Sequence, residues 1–371
     1  MKLKDFAIIN MGQSPKGETY NSEQKGAPFL QGRKTFGRLY PTIDTWTTSP
    51  IKFANKGEIL MSVRAPVGDM NISTQDICIG RGLCSISAKN GRNKYLYYVL
   101  LNNMEKIKQN STGTVFSSIN KNDLENLEID FHSDKTQKKI EKILDDIDSK
   151  IELNTEINNN LYKLCNNIFH DYLNRYEEKI EYKKINEIAK KIITGKTPST
   201  ANKDFWDGSI PFITIPDMHN RVFTIKTERN ITKLGAKSII PKNSISVSCI
   251  ATVGLVSINV EDSQTNQQIN SIVIENDYDL YYLFEYLSEQ EEYMKSIAGG
   301  STTYNINKNV FKNTEIPYLP KELLIEFNNN VSTMFEKIKL NQYENDELSQ
   351  LRDTLLPKLM NGEIELDNIQ I

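Results

Sequence analysis

Cysteine and histidine are scarce in this chain of 371 residues. The cysteines Cys78, Cys84, Cys165 and Cys249 show no C-x-x-C spacing, and His132, His170 and His219 are scattered. A structural zinc site needs about four such ligands brought together, so a metal is excluded as the organising element. The thiols read as reduced core residues of a cytoplasmic protein. Long apolar runs are missing as well. No segment approaches the run of about 18 apolar residues that marks a membrane span, and the start, MKLKDFAIINMG, lacks the apolar stretch of a signal peptide. No GxGxxG and no Asn-Pro-Pro-aromatic run occurs. Ile193-Thr194-Gly195-Lys196-Thr197 ends like a phosphate loop, but Lys190 stands where its first glycine must be. Pro216-Asp217 has no acidic-x-Lys partner close behind it and reads as a turn. With so few histidines there is little to serve as a base, and catalysis by this chain is not indicated.

What is present is a duplication. Gly12-Gln13-Ser14-Pro15 answers Gly195-Lys196-Thr197-Pro198. Lys56 to Ile72 answers Lys242 to Ile258 at a constant offset of 186, which aligns Ile59/Ile245, Ser62/Ser248, Val67/Val253, Gly68/Gly254 and Ile72/Ile258. Ile119-Asn120-Lys121-Asn122 answers Ile306-Asn307-Lys308-Asn309 at 187. This period is too long for a solenoid and implies two domain-plus-helix units.

Net charge is −3, but it is unevenly spread. Residues 1–125 carry +7, 126–180 carry −4, 181–316 carry −1 and 317–371 carry −5. The first globular segment is therefore basic, as phosphate binding requires locally, while the second is near neutral.

Each globular segment holds short β-like runs such as Ile59 to Val63 and Ser244 to Ser248, broken by turn signals, with a short helix expected at 95–109 and at 279–296. The fold class is α+β: two pseudo-repeated mixed α/β domains, each followed by a long helix. From Thr136 to about Tyr172 there is no Pro or Gly, and Ile140, Leu144, Ile147, Ile151, Leu161, Cys165, Ile168 and Tyr172 recur with a period near 3.5 residues. The second copy repeats this at Phe327, Val331, Met334, Ile338, Leu348, Leu355 and Leu359. A rod of roughly 55 Å, at ~1.5 Å per residue, is longer than a small domain needs, which points to an antiparallel coiled coil.

Asn154 and Asn158 interrupt the first apolar seam, and Asn341 and Asn345 the second. If paired residue numbers sum to 499, Asn154 meets Asn345 and Asn158 meets Asn341, with Ile140/Leu359, Leu144/Leu355, Ile151/Leu348 and Leu161/Ile338 as apolar layers. In that register Ile147 faces Arg352, a poor layer. Sliding by one heptad would leave amides against leucines, at about 1–3 kcal/mol for each buried unpaired amide. The expected layout is a domain at 1–134, a long helix at 135–174, a linker at 175–184, a second domain at 185–320, a second helix at 321–361 and a tail at 362–371.

Donor-rich clusters recur at matched positions and are candidates for DNA contact: Gln13, Ser14, Arg33, Lys34, Arg64, Arg81, Thr114, Ser117 and Lys121 in copy one. Copy two offers Lys196, Thr197, His219, Arg221, Gln267, Gln268, Ser301, Thr302, Tyr304, Asn305 and Lys308. Guanidinium suits guanine edges, amides suit adenine, and Lys and hydroxyls suit phosphate. Equally, such clusters serve as polar turns between strands.

The whole arrangement resembles the specificity subunit of Type I restriction–modification enzymes. The residues that carry the likeness are Gly12 to Pro15, Gly195 to Pro198, Gly299 to Thr302 with Ile306-Asn307-Lys308, Ile140 to Asn154, and Leu351 to Ile364. Copy one departs at Gly113-Thr114-Val115-Phe116, where the double glycine is reduced to one. The resemblance implies two target-recognition domains reading a split, asymmetric double-stranded DNA sequence. It also implies paired helices that act as a spacer and dock two methyltransferase subunits, which motor-nuclease subunits then join. S-adenosylmethionine, ATP and Mg would then sit on those partners and base flipping would be theirs, with no cofactor on this non-catalytic chain. Two other readings stay open: a standalone duplicated DNA-binding or inhibitory protein of the same fold, and a coiled-coil scaffold with ligand-binding lobes.

Overall fold

The computed structural model describes residues 1–110, 118–219, 221–299 and 304–366. The chain divides into two compact units, Met1–Ser149 with Gln350–Ile371, and Lys150–Ser349.

In the first unit a four-stranded antiparallel sheet runs in the order Ala7–Met11, Leu83–Ala88, Ile59–Ser62, Met70–Ile72. A second sheet, in the order Tyr20–Asn21, Trp46–Thr47, Ala27–Leu30, Ile77–Ile79, Phe53–Ala54, contains one parallel pair, Ala27–Leu30 with Ile77–Ile79. The second unit repeats this plan. Ala189–Thr194, Ile269–Ile274, Ile245–Ser248 and Val256–Asn259 pair in the same order and register, with Ile59↔Ile72 matched by Ile245↔Ile258. Its smaller sheet again holds a single parallel pair, Trp206–Ile213 with Ser263–Thr265. The second unit also gains the strand Phe223–Thr224 beside Val256–Asn259.

The expected short helices are each broken in two: Asn93–Asn102 with Met104–Gln109, and Leu280–Ser288 with Glu291–Ile297. In the first the break falls at Asn103, whose side-chain amide turns back to donate to the Val99 carbonyl at 2.9 Å.

The long helices are Asp134–Arg175 and Lys321–Met360. Each is shared between the units. In the first unit Ile140, Leu144, Leu356 and Leu359 join one core with the sheet residues Ile59, Met61 and Ile86. In the second, Phe169, Tyr172, Phe327, Val331, Phe335 and Ile338 join Ile245, Ile272 and Tyr282. Domain and helix therefore close over one apolar core in each unit. Each fully buried side chain of this size contributes about 1.5–3 kcal/mol. Helix residue Phe335, absent from the heptad reading, stacks on Tyr281 with ring centroids 4.2 Å apart.

The asparagines meet as paired layers. Asn154 Nδ2 donates to Asn345 Oδ1 at 3.0 Å and to Glu344 at 2.8 Å, and Asn341 Nδ2 donates to Asn158 Oδ1 at 2.8 Å. Leu161 and Leu348 are half-buried, whereas Ile151 is fully buried. Four positions of the heptad reading shift by one residue. Phe169 and Phe335 are buried where Ile168 and Met334 were expected, and two further shifts lie at the other end of the helices. Ile147 is only half-buried and Asp148 takes the interior place, 1 % exposed. Likewise Leu356 is buried where Leu355 was expected and is only half-buried. Arg352 then does not face an apolar residue: its Nη1 donates to Asp148 Oδ1 at 2.9 Å.

Candidate nucleic-acid interface

The repeated motifs build one loop frame in each unit, and the frames are held by the same backbone bonds. In the first unit Gly12 N–H donates to Leu83 O, Gln13 N–H to Ile79 O, Val63 N–H to Gly82 O and Ile119 N–H to Val63 O, at 2.9–3.1 Å. In the second, Gly195 donates to Ile269, Lys196 to Thr265, Cys249 to Gln268 and Ile306 to Cys249, at 2.8–3.1 Å. Both turns demand glycine. A Cβ on Gly12 would run into the Gly80 carbonyl, and one on Gly195 into the Asn266 carbonyl. Gly68 and Gly254, with φ +102° and +94°, hold the adjoining turn in the left-handed region. There Ser62 Oγ accepts from Asp69 N–H and Ser248 Oγ from Leu255 N–H, at 2.9 Å each.

These bonds bring four sequence-distant segments of each unit to one rim. In the first unit Gln13, Arg64 and Arg81 are exposed on it, and Ser14 Oγ accepts the Arg81 N–H at 3.1 Å. Among the described residues Arg64 and Arg81 form no ion pair. Lys34 is exposed next to Arg33, whose guanidinium pairs with Asp69. In the second unit Lys196 and Gln267 are exposed at the positions of Gln13 and Arg81. The Thr197 hydroxyl donates to Gln267 Oε1, so the Ser14–Arg81 relation recurs with different donors. Gln268 is more constrained, since its Oε1 accepts from Asn266 at 3.1 Å. Tyr304 and Asn305 are exposed on the strand-like segment beside Ile250 and Ala251.

The Ile-Asn-Lys-Asn repeat has a local structural task. Ile119 and Ile306 are buried, and Asn120 and Asn307 cap the short helices Lys121–Glu125 and Lys308–Lys312. Lys121 and Lys308 are exposed, as are the neighbouring asparagines, and Lys121 lies 3.5 Å from Glu125. Thr114, Ser117, Ser301 and Thr302 lie outside the described residues.

One candidate is engaged elsewhere. Arg221 lays both terminal nitrogens on the two carboxylate oxygens of Asp346, 2.8 Å each, so its fork is filled by the second long helix. His219, exposed two residues before it, belongs to the same segment rather than to the rim frame. Pro216-Asp217 is a helix cap: Asp217 accepts from Thr214 N–H at 2.8 Å. The heptad pattern gave no sign of Arg38, Asp148 or Asp346, because their partners lie 110 and 125 residues away.

The profile of the Type I restriction modification DNA specificity domain matches residues 1–163 and again 177–349. The chain belongs to that family and carries two such target-recognition domains. It is 32 % identical to the Type I restriction enzyme HindI specificity subunit of Haemophilus influenzae, over 73 % of this chain and 77 % of that protein. It is 44 % identical to the putative type I restriction enzyme MjaX specificity subunit of Methanocaldococcus jannaschii, over 40 % of this chain and 36 % of that one. The crystal structure of the Type-I restriction-modification S subunit from M. genitalium superposes with a TM-score of 0.62 at 18 % identity, covering 97 % of this chain and 95 % of that one, and so shares the fold. Among the described residues no helix is long and apolar enough to cross a membrane, and no cluster of His, Cys, Asp and Glu is arranged to hold a metal ion.

Proposed function

We propose that each rim reads one half of a bipartite, asymmetric DNA target, and that the paired helices set the spacer and dock two methyltransferase subunits. The observation that carries this reading is the repeated frame with unlike side chains on it. Gln13, Ser14, Arg64 and Arg81 face outward in the first unit, where Lys196, Thr197, Ile250 and Gln267 stand in the second. Equal geometry with unequal donors fits two different half-sites. Guanidinium reads guanine O6 and N7, while a glutamine amide reads adenine N6 and N7. The basic charge of residues 1–125 adds phosphate attraction on one side. Methyl transfer from S-adenosylmethionine, the flipping of the target adenine, and ATP- and Mg-dependent cleavage belong in this reading to the methyltransferase and motor-nuclease subunits. This chain contributes address and affinity.

The test is to purify the chain co-expressed with its methyltransferase subunits and to map methylated adenines along bulk DNA. Two dissimilar half-sites at one fixed spacing are expected. Methylation at a continuous, symmetric sequence, or DNA binding without methyltransferase recruitment, refutes the proposal.

A further inference from the structure

We propose that Arg38 and Arg221 are positioning residues that fasten each recognition domain to a long helix and so fix the spacing at which the half-sites are read. The inference rests on the two-half-site reading above and assigns its ruler to named side chains.

The two arginines occupy one place in the repeated plan. Ile72 N–H donates to Leu39 O at 2.8 Å, and Ile258 N–H donates to Val222 O at 2.9 Å. Ile72 and Ile258 are partners in the duplication, so the residues just before Leu39 and Val222, Arg38 and Arg221, correspond. Both guanidinium groups turn to an aspartate on a long helix. Arg38 Nη1 donates to Asp148 Oδ1 at 2.6 Å and Nη2 to the Asp148 carbonyl at 3.3 Å. Arg221 grips Asp346 with both prongs at 2.8 Å, and one turn of helix earlier Gln342 Oε1 accepts the Phe223 N–H at 3.1 Å.

The aspartates do not correspond. At the 187-residue offset Asp148 aligns with Phe335 and Asp346 with Asn159. A bond surviving only as a relic of duplication would carry both partners. Here the arginine holds its place and a different helix position supplies the acceptor in each unit. The arrangement thus conserves the fastening rather than the pair.

The geometry suits a fastener more than a stabilising contact. A two-pronged arginine–carboxylate pair fixes angle as well as distance. Both arginine side chains are about two-thirds shielded, at 32 % exposure, and the aspartates are 1 % and 18 % exposed, so solvent competes weakly. In the first unit Tyr98 and Arg352 also donate to Asp148, at 2.8 and 2.9 Å, so one carboxylate ties the domain to both helices. A shift of one base-pair step is about 3.4 Å along the duplex, which is the scale of displacement such a fork would have to resist.

The experiment uses the chain assembled with its methyltransferase subunits and DNA carrying the wild-type half-sites at the native spacer and at spacers one base pair shorter and longer. Wild type should methylate the native spacer alone. Asp346→Asn, which leaves the arginine in place, and Arg221→Ala should each raise methylation at a neighbouring spacer by about tenfold relative to the native one, with the half-site bases unchanged. Arg38→Ala should act in the same way. Arg221→Lys, which keeps charge and loses the fork, should fall between, and Arg221→Asp with Asp346→Arg should restore the single spacer. If Asp346→Asn leaves spacing untouched, or if Arg221→Ala relaxes a base while Asp346→Asn is silent, the arginine is not a ruler and the proposal falls. A wild-type complex that reads no split site overturns the proposed function, and the ruler with it.

Discussion

Each unit buries a carboxyl where domain meets helix, and the two carboxyls are handled with opposite electrostatics. In the first, Asp148 is buried and served by three donors: Arg38, Tyr98 and Arg352. Burial pushes its carboxyl up, but the hydrogen bonds from Arg38 and Tyr98 and the charges of Arg38 and Arg352 outweigh burial and hold it below the ordinary range. In the second, Glu285 is fully buried on Leu280–Ser288 with one donor, Asn166 Nδ2 at 3.2 Å to Oε2, while Oε1 has no partner among the described residues. Burial, with Glu289 nearby, raises its pKa to about 8 against the pull of Asn166, and Tyr162 and Cys165 flank it without supplying a cation. A duplicated scaffold can thus bury a carboxyl either as a well-paired ion or as a neutral acid. Each choice ties stability to pH with a different sign.

The largest expected effect comes from breaking the ionic seat. Asp148→Ala strands Arg38 and Arg352, and chemical denaturation should show a loss of about 3–5 kcal/mol, the scale for removing one partner of a buried pair. The pH dependence follows from the depressed value: the contribution of Asp148 is complete above the ordinary aspartate range and is lost as pH falls through its lowered pKa.

The second unit's amide layers offer the next test. Asn154→Leu should cost about 1–3 kcal/mol by leaving Asn345 without its donor, while Asn154→Leu together with Asn345→Leu should cost less than the single change. Equal or greater cost for the double variant in unfolding experiments would show that the pair does not act as one layer.

A smaller effect sharpens the contrast of sign. Because the folded-state pKa of Glu285 is raised, its favourable contribution is present below about 4.5 and is lost as pH rises toward about 8. Glu285→Gln should therefore flatten that decline, with a gain on the order of 1 kcal/mol in melts at pH 9 and little change at pH 4. A variant whose stability falls with pH as steeply as wild type would show that this carboxyl does not titrate late.

The last test separates the two rims in the DNA contact proposed for them. Lys121→Ala, in the basic first segment, should weaken binding to all sequences alike and reduce the salt slope of the assembled complex by about one. Arg81→Ala should instead relax one base position, at about 1–3 kcal/mol, in titrations with substituted half-sites. Lys308→Ala in the near-neutral second segment serves as the matched control.

Local pattern revealed the parts of this molecule that repeat or alternate. The Gly12 and Gly195 turns, the Ser62 and Ser248 strands and the paired asparagines were legible because each leaves a mark within a few residues. Asp148 was not, since a heptad reading prefers Ile147 and cannot see that Arg38 and Tyr98 arrive to satisfy a carboxylate. Arg221 looked like a DNA contact for the same reason: an arginine in a loop shows its charge but not the aspartate 125 residues on. The Ile-Asn-Lys-Asn repeat was visible as a repeat, yet its isoleucine is a core residue and its first asparagine a helix cap, a local task that the repetition alone does not reveal.

The frame under each rim is held mainly by bonds from backbone to backbone, and this bears on how such a chain changes over generations. Gln13 and Arg64 pair through their main chains, Arg81 donates its N–H to Ser14 Oγ, and all three leave their side chains outside the scaffold. A substitution at those positions costs the fold little, because surface changes away from special features rarely exceed about 0.5 kcal/mol. In the proposed reading, selection can then alter the bases recognised in one step without first repairing stability. The two copies, alike in main chain and unlike in exposed donors, are what a history of such inexpensive rewriting would leave behind.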